Sequence, residues 1–423
     1  MNVLFVHQNM PGQFGHLAAA LARNPANRVV FLTKADRTPP AGVARVLYRP
    51  ARAAHAATHH YIRGFETAVL HGQAVAGACL AMRERNFVPD VVVAHPGWGE
   101  SLYVKDVFPS AKLLSYCEFF YHAAGADVGF DPAEAVDAEV AARLRTKNAP
   151  LLLALAACDR GLCPTRWQQS LQPAEYRDKI EVIFDGIDAD RARPAADASF
   201  ALPDGTRLTR RDRIVTYVAR NLEPHRGFPS FMRAIPRILH ALPDAHVLIA
   251  GRDGVSYGQG PADGRTWRAV MVEEVACDPA RVHFLGPLPY GNYLRLLQIS
   301  AAHVYLTVPF VLSWSALEAL AAGCVVIGSR TPPVEEIIGD GDNGFLVDFF
   351  SPEEIAERTV AAVRSGDKLD GLRRRARASV IGRYDLATCL PRQLRLLNEM
   401  AGKTTPRPIA AGRAAISPMA AQA

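Results

Sequence analysis

Cysteine is scarce: seven residues in a chain of 423, their number odd, with no C-x-x-C pair among them. Cys79, Cys117, Cys158, Cys163, Cys277, Cys324 and Cys389 are scattered, several inside apolar runs. This excludes a disulfide scaffold and a zinc ribbon, and predicts reduced, mostly buried thiols in a cytoplasm. No basic segment followed by an apolar one opens the chain, so no secretion signal is expected. No uncharged run reaches the ~18 residues that crossing a bilayer takes. H-E-x-x-H and clustered Cys and His are missing, so no metal is expected. No G-x-G-x-x-G follows the first strand, which argues against a nicotinamide-dependent oxidoreductase. Basic residues interleaved with aromatics are lacking too, so nucleic acid is not expected as a partner.

What remains is an ordinary globular composition, 49% hydrophobic and 21% charged. The net charge of +6 suits an anionic ligand or a membrane surface without demanding either. The length predicts two or three domains of roughly 100–200 residues each.

The chain opens on a strand, Asn2 to His7. Its loop, Gln8 to Gly15, leads into a helix from about His16 to Arg23, the opening of a Rossmann-like unit. Gly12, with Gln13 beside it, would let backbone approach a ligand, although a plain tight turn also needs glycine. A strand follows at Arg28–Leu32. Residues 34–60, rich in Pro, Ala and His, read as loop, and Tyr61–Glu84 has a helical period. Strands at Val91–Ala94 and Lys112–Tyr116 end in His95-Pro96-Gly97-Trp98-Gly99-Glu100 and Cys117-Glu118-Phe119-Phe120-Tyr121-His122. One long helix is expected over Ala133–Ala157 and a last strand at Ile180–Phe184. Residues 1–188 thus form one domain, with 189–211, rich in Ala, Asp and Pro, as an aperiodic linker. A second α/β domain, 212–384, starts on the strand Ile214–Val218 and continues through a strand ending at Gly251. The helix near 385–400 is expected to pack back on the first domain, and 401–423 to be a disordered tail.

The richest stretch runs from Val304 to Asp348. It reads strand, loop, helix from Trp314 to a glycine stop at Gly323, strand, then a helix opened by Thr331 as cap and Pro332. In an open parallel sheet, ligands sit at such strand ends. Arg220 and Arg226 flank the loop after Ile214–Val218; cations suit a helix start poorly unless an anion is there, so the pair reads as a diphosphate clamp. Glu318 lies in a mostly apolar helix, where a carboxylate needs a partner: a vicinal diol or a nearby Arg. Ser313, Trp314 and Ser315 precede it, with helix-start N–H groups. On the first domain, Glu118 ends a strand at the same kind of edge. His95, Tyr121 and His122 are further acceptor-side candidates. The run Arg373-Arg374-Arg375-Ala376-Arg377 reads as a solvated helix face, with membrane contact as the minority reading.

These blocks together resemble a retaining glycosyltransferase of the GT-B fold, in the large family 4 (group 1). The marks are VIFDGID, VARNLEPHRG, VHFLG, ALEALAAGCVVIGSRTPPVEEII and NGFLVD. FVHQNMPGQFGH, HPGWGE and YCEFFYHAAGADVGFDP resemble one bacterial subgroup. The resemblance implies an α/β chain of two Rossmann-like, doubly wound domains facing across a cleft, and a sugar moved with retention from a nucleotide-diphosphate sugar to a glycan or lipid-linked acceptor. It implies glycan or polysaccharide biosynthesis in the cytoplasm, with peripheral contact on the inner membrane face as a further reading. Arg220 and Arg226 would hold the diphosphate, with Glu118 as a third catalytic candidate. Glu318 would take the ribose hydroxyls, with Gly12, Gln13, Gly251, Ser313, Trp314 and Ser315 around the donor. His95, Tyr121 and His122 would lie toward the acceptor, and no metal would be needed. The sequence departs from the family where an earlier glutamate, with seven residues between it and Glu318, is expected: that position is Phe310. The alternatives are a non-catalytic relative that binds nucleotide sugar or glycan as a partner or regulator, and a sugar-nucleotide epimerase.

Overall fold

A parallel strand covered on both faces has to be apolar along its whole length. Val91–Ala94 meets this with four residues at 0% exposure. The computed structural model describes residues 1–403 and divides into two units, Met1–Asp185 with the chain from Cys389, and Gly186–Thr388. Within the expected tail 401–423, everything from residue 404 lies outside the described residues.

The first unit holds a seven-stranded, all-parallel sheet: β1 (Asn2–Val6), β2 (Arg28–Thr33), β3 (Val43–Leu47), β4 (Val91–Ala94), β5 (Lys112–Tyr116), β6 (Arg160–Cys163) and β7 (Ile180–Val182). Their order is β3-β2-β1-β4-β5-β6-β7, so winding reverses between β1 and β4. Leu4, Val6, Val92 and Ala94 pack with Val75, Cys79 and Met82 of the helix Arg63–Glu84. The helix Leu386–Met400 joins this unit from Cys389 onward. Its Gln393 Nε2 donates to the Phe184 carbonyl and its Arg392 to the Val182 carbonyl, both at 2.9 Å.

The second unit starts with a two-stranded antiparallel hairpin, β8 (Ser199–Ala201) and β9 (Arg207–Thr209). Its main sheet is six-stranded and parallel: β10 (Ile214–Asn221), β11 (His246–Arg252), β12 (Val282–Gly286), β13 (Ala302–Tyr305), β14 (Val326–Ser329) and β15 (Phe345–Val347). The order β12-β11-β10-β13-β14-β15 places the reversal between β10 and β13. Helices Phe228–Ala241 and Pro352–Ser365 pack together.

Three local expectations are corrected. Residues 34–60 contain β3, an edge strand with only Val43 buried; Arg45 interrupts its apolar residues, so neither an unbroken run nor alternation announced it. The long helix is two, Ala138–Lys147 and Ala149–Ala157, because Asn148 exchanges two hydrogen bonds with the Tyr121 backbone and Pro150 follows. Residues 189–211 contain the hairpin, whose turn at Pro203-Asp204-Gly205 lets Phe200 and Leu208 bury on one side.

The basic run is also not merely solvated. Arg373 bonds Gly366 and Asp370, Arg375 bonds Asp342, and Arg377 donates to the carbonyls of Ala189, Ala192 and Ala321. None of the seven cysteines forms a disulfide, and all but Cys277 are buried. No helix among the described residues is long and apolar enough to cross a membrane.

Candidate functional site

Beyond β10 the chain makes one 3-10 turn, Pro224–Arg226, and reaches Gly227 at φ 67°. A Cβ at Gly227 would run into the Leu306 side chain, so glycine lets this turn rest on the loop after β13. Val308 N donates to the His225 carbonyl at 3.2 Å. Arg226 Nη1 donates to Thr307 Oγ1 at 2.7 Å and to the Val311 carbonyl at 3.3 Å. The Thr307 carbonyl accepts from Ser329 Oγ at 3.0 Å and Thr331 Oγ1 at 3.1 Å. Thr331 therefore stands at a helix start without capping it; its hydroxyl ties the ends of β13 and β14 together.

Arg220 lies half-buried within β10, where the register with β11 shifts between Val218 and Asn221. Both Arg226 and Arg220 pull electrostatically on Glu223, a residue the sequence reading missed. Glu223 is 1% exposed. Its Oε2 accepts from Ser256 N and Tyr257 N, both at 3.0 Å, fastening the loop after β11 to the turn after β10. Burial raises its pKa, and those two N–H bonds and the two arginines only partly offset this. Its Oε1 has no hydrogen-bond partner among the described residues. The signal in the sequence was an acid between Leu222 and Pro224 in a loop otherwise rich in cations.

Three rings meet above this turn. Phe310, 5% exposed, lies 4.9 Å edge-on from His225 and 4.9 Å from Tyr257, and His225 and Tyr257 are 5.0 Å apart. Position 310 is thus an apolar wall held by the loops after β10 and β11. The Arg226 guanidinium lies 5.6 Å from the Tyr257 ring centroid.

The segment carrying Thr307 and Phe310 runs directly into the helix Trp314–Ala322, which holds Glu318. Within the protein, two tyrosines rather than an arginine are Glu318's hydrogen-bond partners. Tyr290 Oη donates to Oε1 at 2.8 Å and Tyr293 Oη to Oε2 at 2.7 Å, from one face of the helix Tyr290–Ile299. Burial raises the Glu318 pKa, opposed by the two tyrosine bonds and by Arg191, which itself lies over the Tyr290 ring at 4.8 Å. A raised carboxyl contributes stability that is complete below its unfolded pKa and is lost as pH rises through the folded one. Tyr293→Phe removes a donor from the charged form and raises that pKa further. The expected cost is about 1–3 kcal/mol, the scale of a buried acceptor left unmet, and larger at about pH 8 than at about pH 5. Urea unfolding at the two pH values checks this; an equal cost at both would mean that the bond does not select the carboxylate.

The remaining donor-side expectations land variously. Ser313 N donates to Tyr305 Oη at 2.9 Å and Ser315 N to Ser313 Oγ at 3.3 Å, so those two N–H groups serve the helix start itself. Trp314 lies between them at the first helical position. Gly251 sits inside β11, where a Cβ would lie 2.7 Å from the Ala219 carbonyl oxygen; its smallness serves strand packing.

In the first unit, the strand ends of β1, β4 and β5 gather a second cluster. His7 Nδ1 accepts from Asn9 N at 2.9 Å, which leaves Nε2–H to donate to Gln13 Oε1 at 2.9 Å. Gln13 Nε2 then donates to Glu118 Oε1 at 2.8 Å. His95 Nδ1 accepts from Gly97 N at 3.1 Å, so its Nε2 faces Glu118 Oε2 at 3.3 Å as donor. Burial pushes the Glu118 pKa up, but His95, His7 and Gln13 outweigh it and hold the carboxyl below its ordinary range. Burial and His95 push His7 down to about 3, so it stays neutral. Gly12, at φ 52°, is needed here: a Cβ would lie 2.7 Å from His7 Nε2. Trp98 stacks on His95 at 4.7 Å, and Gln168 Nε2 donates to the Glu118 carbonyl at 2.6 Å; no local pattern of residues announces either contact. Tyr121 and His122 make contacts of their own. Tyr121 is tied through its backbone to Asn148 and carries Lys147 over its ring at 3.5 Å; His122 Nε2 meets the Leu171 carbonyl at 2.8 Å.

Two Rossmann-like units with parallel sheets, each with polar groups at its strand ends, define the two-domain GT-B class. Solved structures agree in fold. Sucrose-phosphate synthase from Thermosynechococcus elongatus aligns with TM-score 0.72 at 14% identity, over 95% of this chain and 99% of that one. HepE of Anabaena in complex with UDP and glucose aligns with TM-score 0.67 at 14% identity, over 94% and 100%. Two family models match in succession, "Glycosyl transferase family 4 group" over residues 25–192 and "Glycosyl transferases group 1" over 203–379. The chain belongs to the family 4/group 1 glycosyltransferases. Among characterised relatives, phosphatidyl-myo-inositol mannosyltransferase of Mycobacterium tuberculosis is 27% identical over 56% of this chain. D-inositol 3-phosphate glycosyltransferase of Corynebacterium glutamicum is 27% identical over 43% of it. The match spans 57% of the length of the first relative and 46% of the second.

Proposed function

We propose that this protein is a retaining, hexosyltransferase-type glycosyltransferase that moves a sugar from a nucleotide-diphosphate sugar to a glycan or lipid-linked acceptor. The observation that carries the reading is the seat of Arg226. Thr307 and Val311 hold its guanidinium on the loop that leads directly into the helix of Glu318. A cation suited to a diphosphate thus rests on the strand-end loop whose following helix carries a carboxylate suited to a ribose diol. The acceptor hydroxyl oxygen bonds to the anomeric carbon on the face from which the diphosphate leaves. Its proton passes to a diphosphate oxygen, and no enzyme nucleophile is needed. Arg220 and Arg226 neutralise the departing charge, so the step requires no metal. Glu118, fed by Gln13 and His95, is assigned to sugar or acceptor hydroxyls in the first unit.

HepE has been solved with UDP-glucose, and the mycobacterial relative is named for mannose transfer to a phosphoinositide. The first supports a nucleotide-sugar donor, and the second supports a lipid acceptor. A lipid acceptor would bring the protein to a membrane surface. Arg373, Arg375 and Arg377, already engaged within the chain, are poor candidates for that contact.

A thermal-shift panel of nucleotide sugars tests the reading, because a ligand that binds only the folded state raises apparent stability. The expected result is stabilisation by one donor class, followed by transfer from that donor with the anomeric configuration retained by NMR. Stabilisation without hydrolysis or transfer to any acceptor would favour the second reading, a non-catalytic binder, for which Phe310 is the argument. No stabilisation by any nucleotide sugar would sink both.

A further inference from the structure

We propose that Glu223 and His225 form the polar wall of the subsite for the donor's sugar and take hydroxyls of a neutral pyranose against the Phe310 ring. This rests on the donor reading above and assigns two residues that the sequence did not single out. The starting point is a pair of buried polar atoms, Glu223 Oε1 and His225 Nε2, that lack a hydrogen-bond partner among the described residues. Buried polar groups in folded proteins are nearly always paired, so an unpaired one asks for an explanation. Here there are two, on either side of Pro224, at the mouth of the central strand of a ligand-binding type of sheet.

Both side chains meet the same neighbour. Glu223 Oε2 accepts from Tyr257 N, and the His225 ring lies 5.0 Å from the Tyr257 ring. Phe310 completes the group at 4.9 Å from both rings. The charges select the ligand. An anion would be repelled by the Glu223 carboxylate. A cation would be repelled by Arg226, which acts on both groups, and by Arg220, which acts on Glu223. A neutral polyol meets neither penalty. Burial, with Arg226, holds the His225 pKa down to about 3, so its ring is neutral near pH 7 and its Nε2 can pair with a hydroxyl. The Glu223 carboxylate accepts from another hydroxyl, and the aromatic edge suits the carbon-bound hydrogens of a sugar. The Phe310 side chain cannot make a polar contact to the sugar, and this pair from the neighbouring turn supplies one.

The test uses calorimetric titration of the full chain with UDP, GDP and their glucose and mannose conjugates. The quantity read is the affinity for a conjugate divided by that for its bare nucleotide, which cancels effects on the diphosphate. His225→Phe keeps the ring packing and removes Nε2. Glu223→Gln keeps an oxygen for the Ser256 and Tyr257 N–H groups and removes the charge. Each is expected to lower the ratio about tenfold, the loss of one hydroxyl contact in a buried site, while His225→Phe shifts nucleotide affinity less than about threefold. Ratios equal to the parent's in both variants would overturn the assignment, as would a parent ratio of one. If the parent binds neither nucleotide, the donor reading itself falls; if it binds nucleotide and only the ratios fail to respond, this inference alone falls.

Discussion

Replacing Arg226 by alanine is expected to weaken binding of a nucleoside diphosphate by about 1–3 kcal/mol, roughly 5- to 150-fold, on the scale of a lost charge-assisted hydrogen bond. The geometry shows why this position should matter. Both hydrogen bonds that seat the guanidinium use Nη1, toward Thr307 Oγ1 and the Val311 carbonyl. One corner of the fork is spent on placing it, while Nε and Nη2 keep the geometry that matches two phosphate oxygens. Its placement also depends on Gly227, which lets the turn settle on Leu306, and on Tyr217 Oη, which donates to the Arg226 carbonyl at 2.6 Å. Arg226→Lys keeps the charge and loses the fork, so an intermediate affinity is expected. Titration with UDP and GDP gives the affinities. A parallel urea midpoint separates lost binding from a loosened 307–311 loop, because alanine also abandons Thr307 Oγ1. Parent-like affinity in the alanine variant would remove Arg226 from the diphosphate site.

The sequence announced the strands best where burial is complete on both faces. β4 and β5 fall on the residues expected, because Val91–Ala94 is wholly apolar and Leu113, Leu114 and Tyr116 are buried within β5, each strand lying between turn signals. β3 stayed hidden because Arg45 interrupts its apolar residues, and in an edge strand with four of its five residues at least partly exposed they show no period of two. The break at Asn148 depends on a partner 27 residues away in sequence, Tyr121, and no local propensity encodes that.

The site follows the same division. Arg226 and Glu318 could be picked out because each breaks a local rule: a cation at a helix start, an acid in an apolar helix. What those residues touch could not be read. The spacing of Tyr290 and Tyr293 puts both on one helix face, yet nothing in the sequence aims that face at Glu318. Glu223 was passed over because an acid next to arginines reads as surface charge until its burial is known. In the first unit, His7, Gln13, His95 and Glu118 come from three strand ends, and only the parallel order β1-β4-β5 brings them side by side.

Phe310→Glu is expected to change donor preference and, because of what surrounds the ring, stability as well. At 5% exposure and in contact with His225 and Tyr257, the phenyl group is part of a packed wall. Removing it costs about 2–4 kcal/mol by the scale of large-to-small changes in cores, before any charge is considered. The carboxylate that replaces it enters a buried place, and it can be tolerated only if a cation or donor meets it. Two are at hand: Arg226, whose Nη1 already reaches the Val311 carbonyl next in the chain, and His225, whose ring faces position 310 edge-on. Burial would raise the pKa of the new carboxyl above its unfolded value, so the variant should regain stability as pH falls toward 5, opposite in sign to an ordinary carboxylate pair that is lost on acidification. On the ligand side, a new acceptor beside the Glu223 carboxylate should favour donors with an additional hydroxyl pointing at this wall. Affinities across glucose, mannose and galactose conjugates should reorder by roughly tenfold, the scale of one hydrogen bond to a charged group. Titrations of the donor panel, with urea unfolding at two pH values, read both effects. An unchanged order of donors together with unchanged stability would mean that the phenyl ring is neither part of the sugar's wall nor part of the packing that holds the turn after β10.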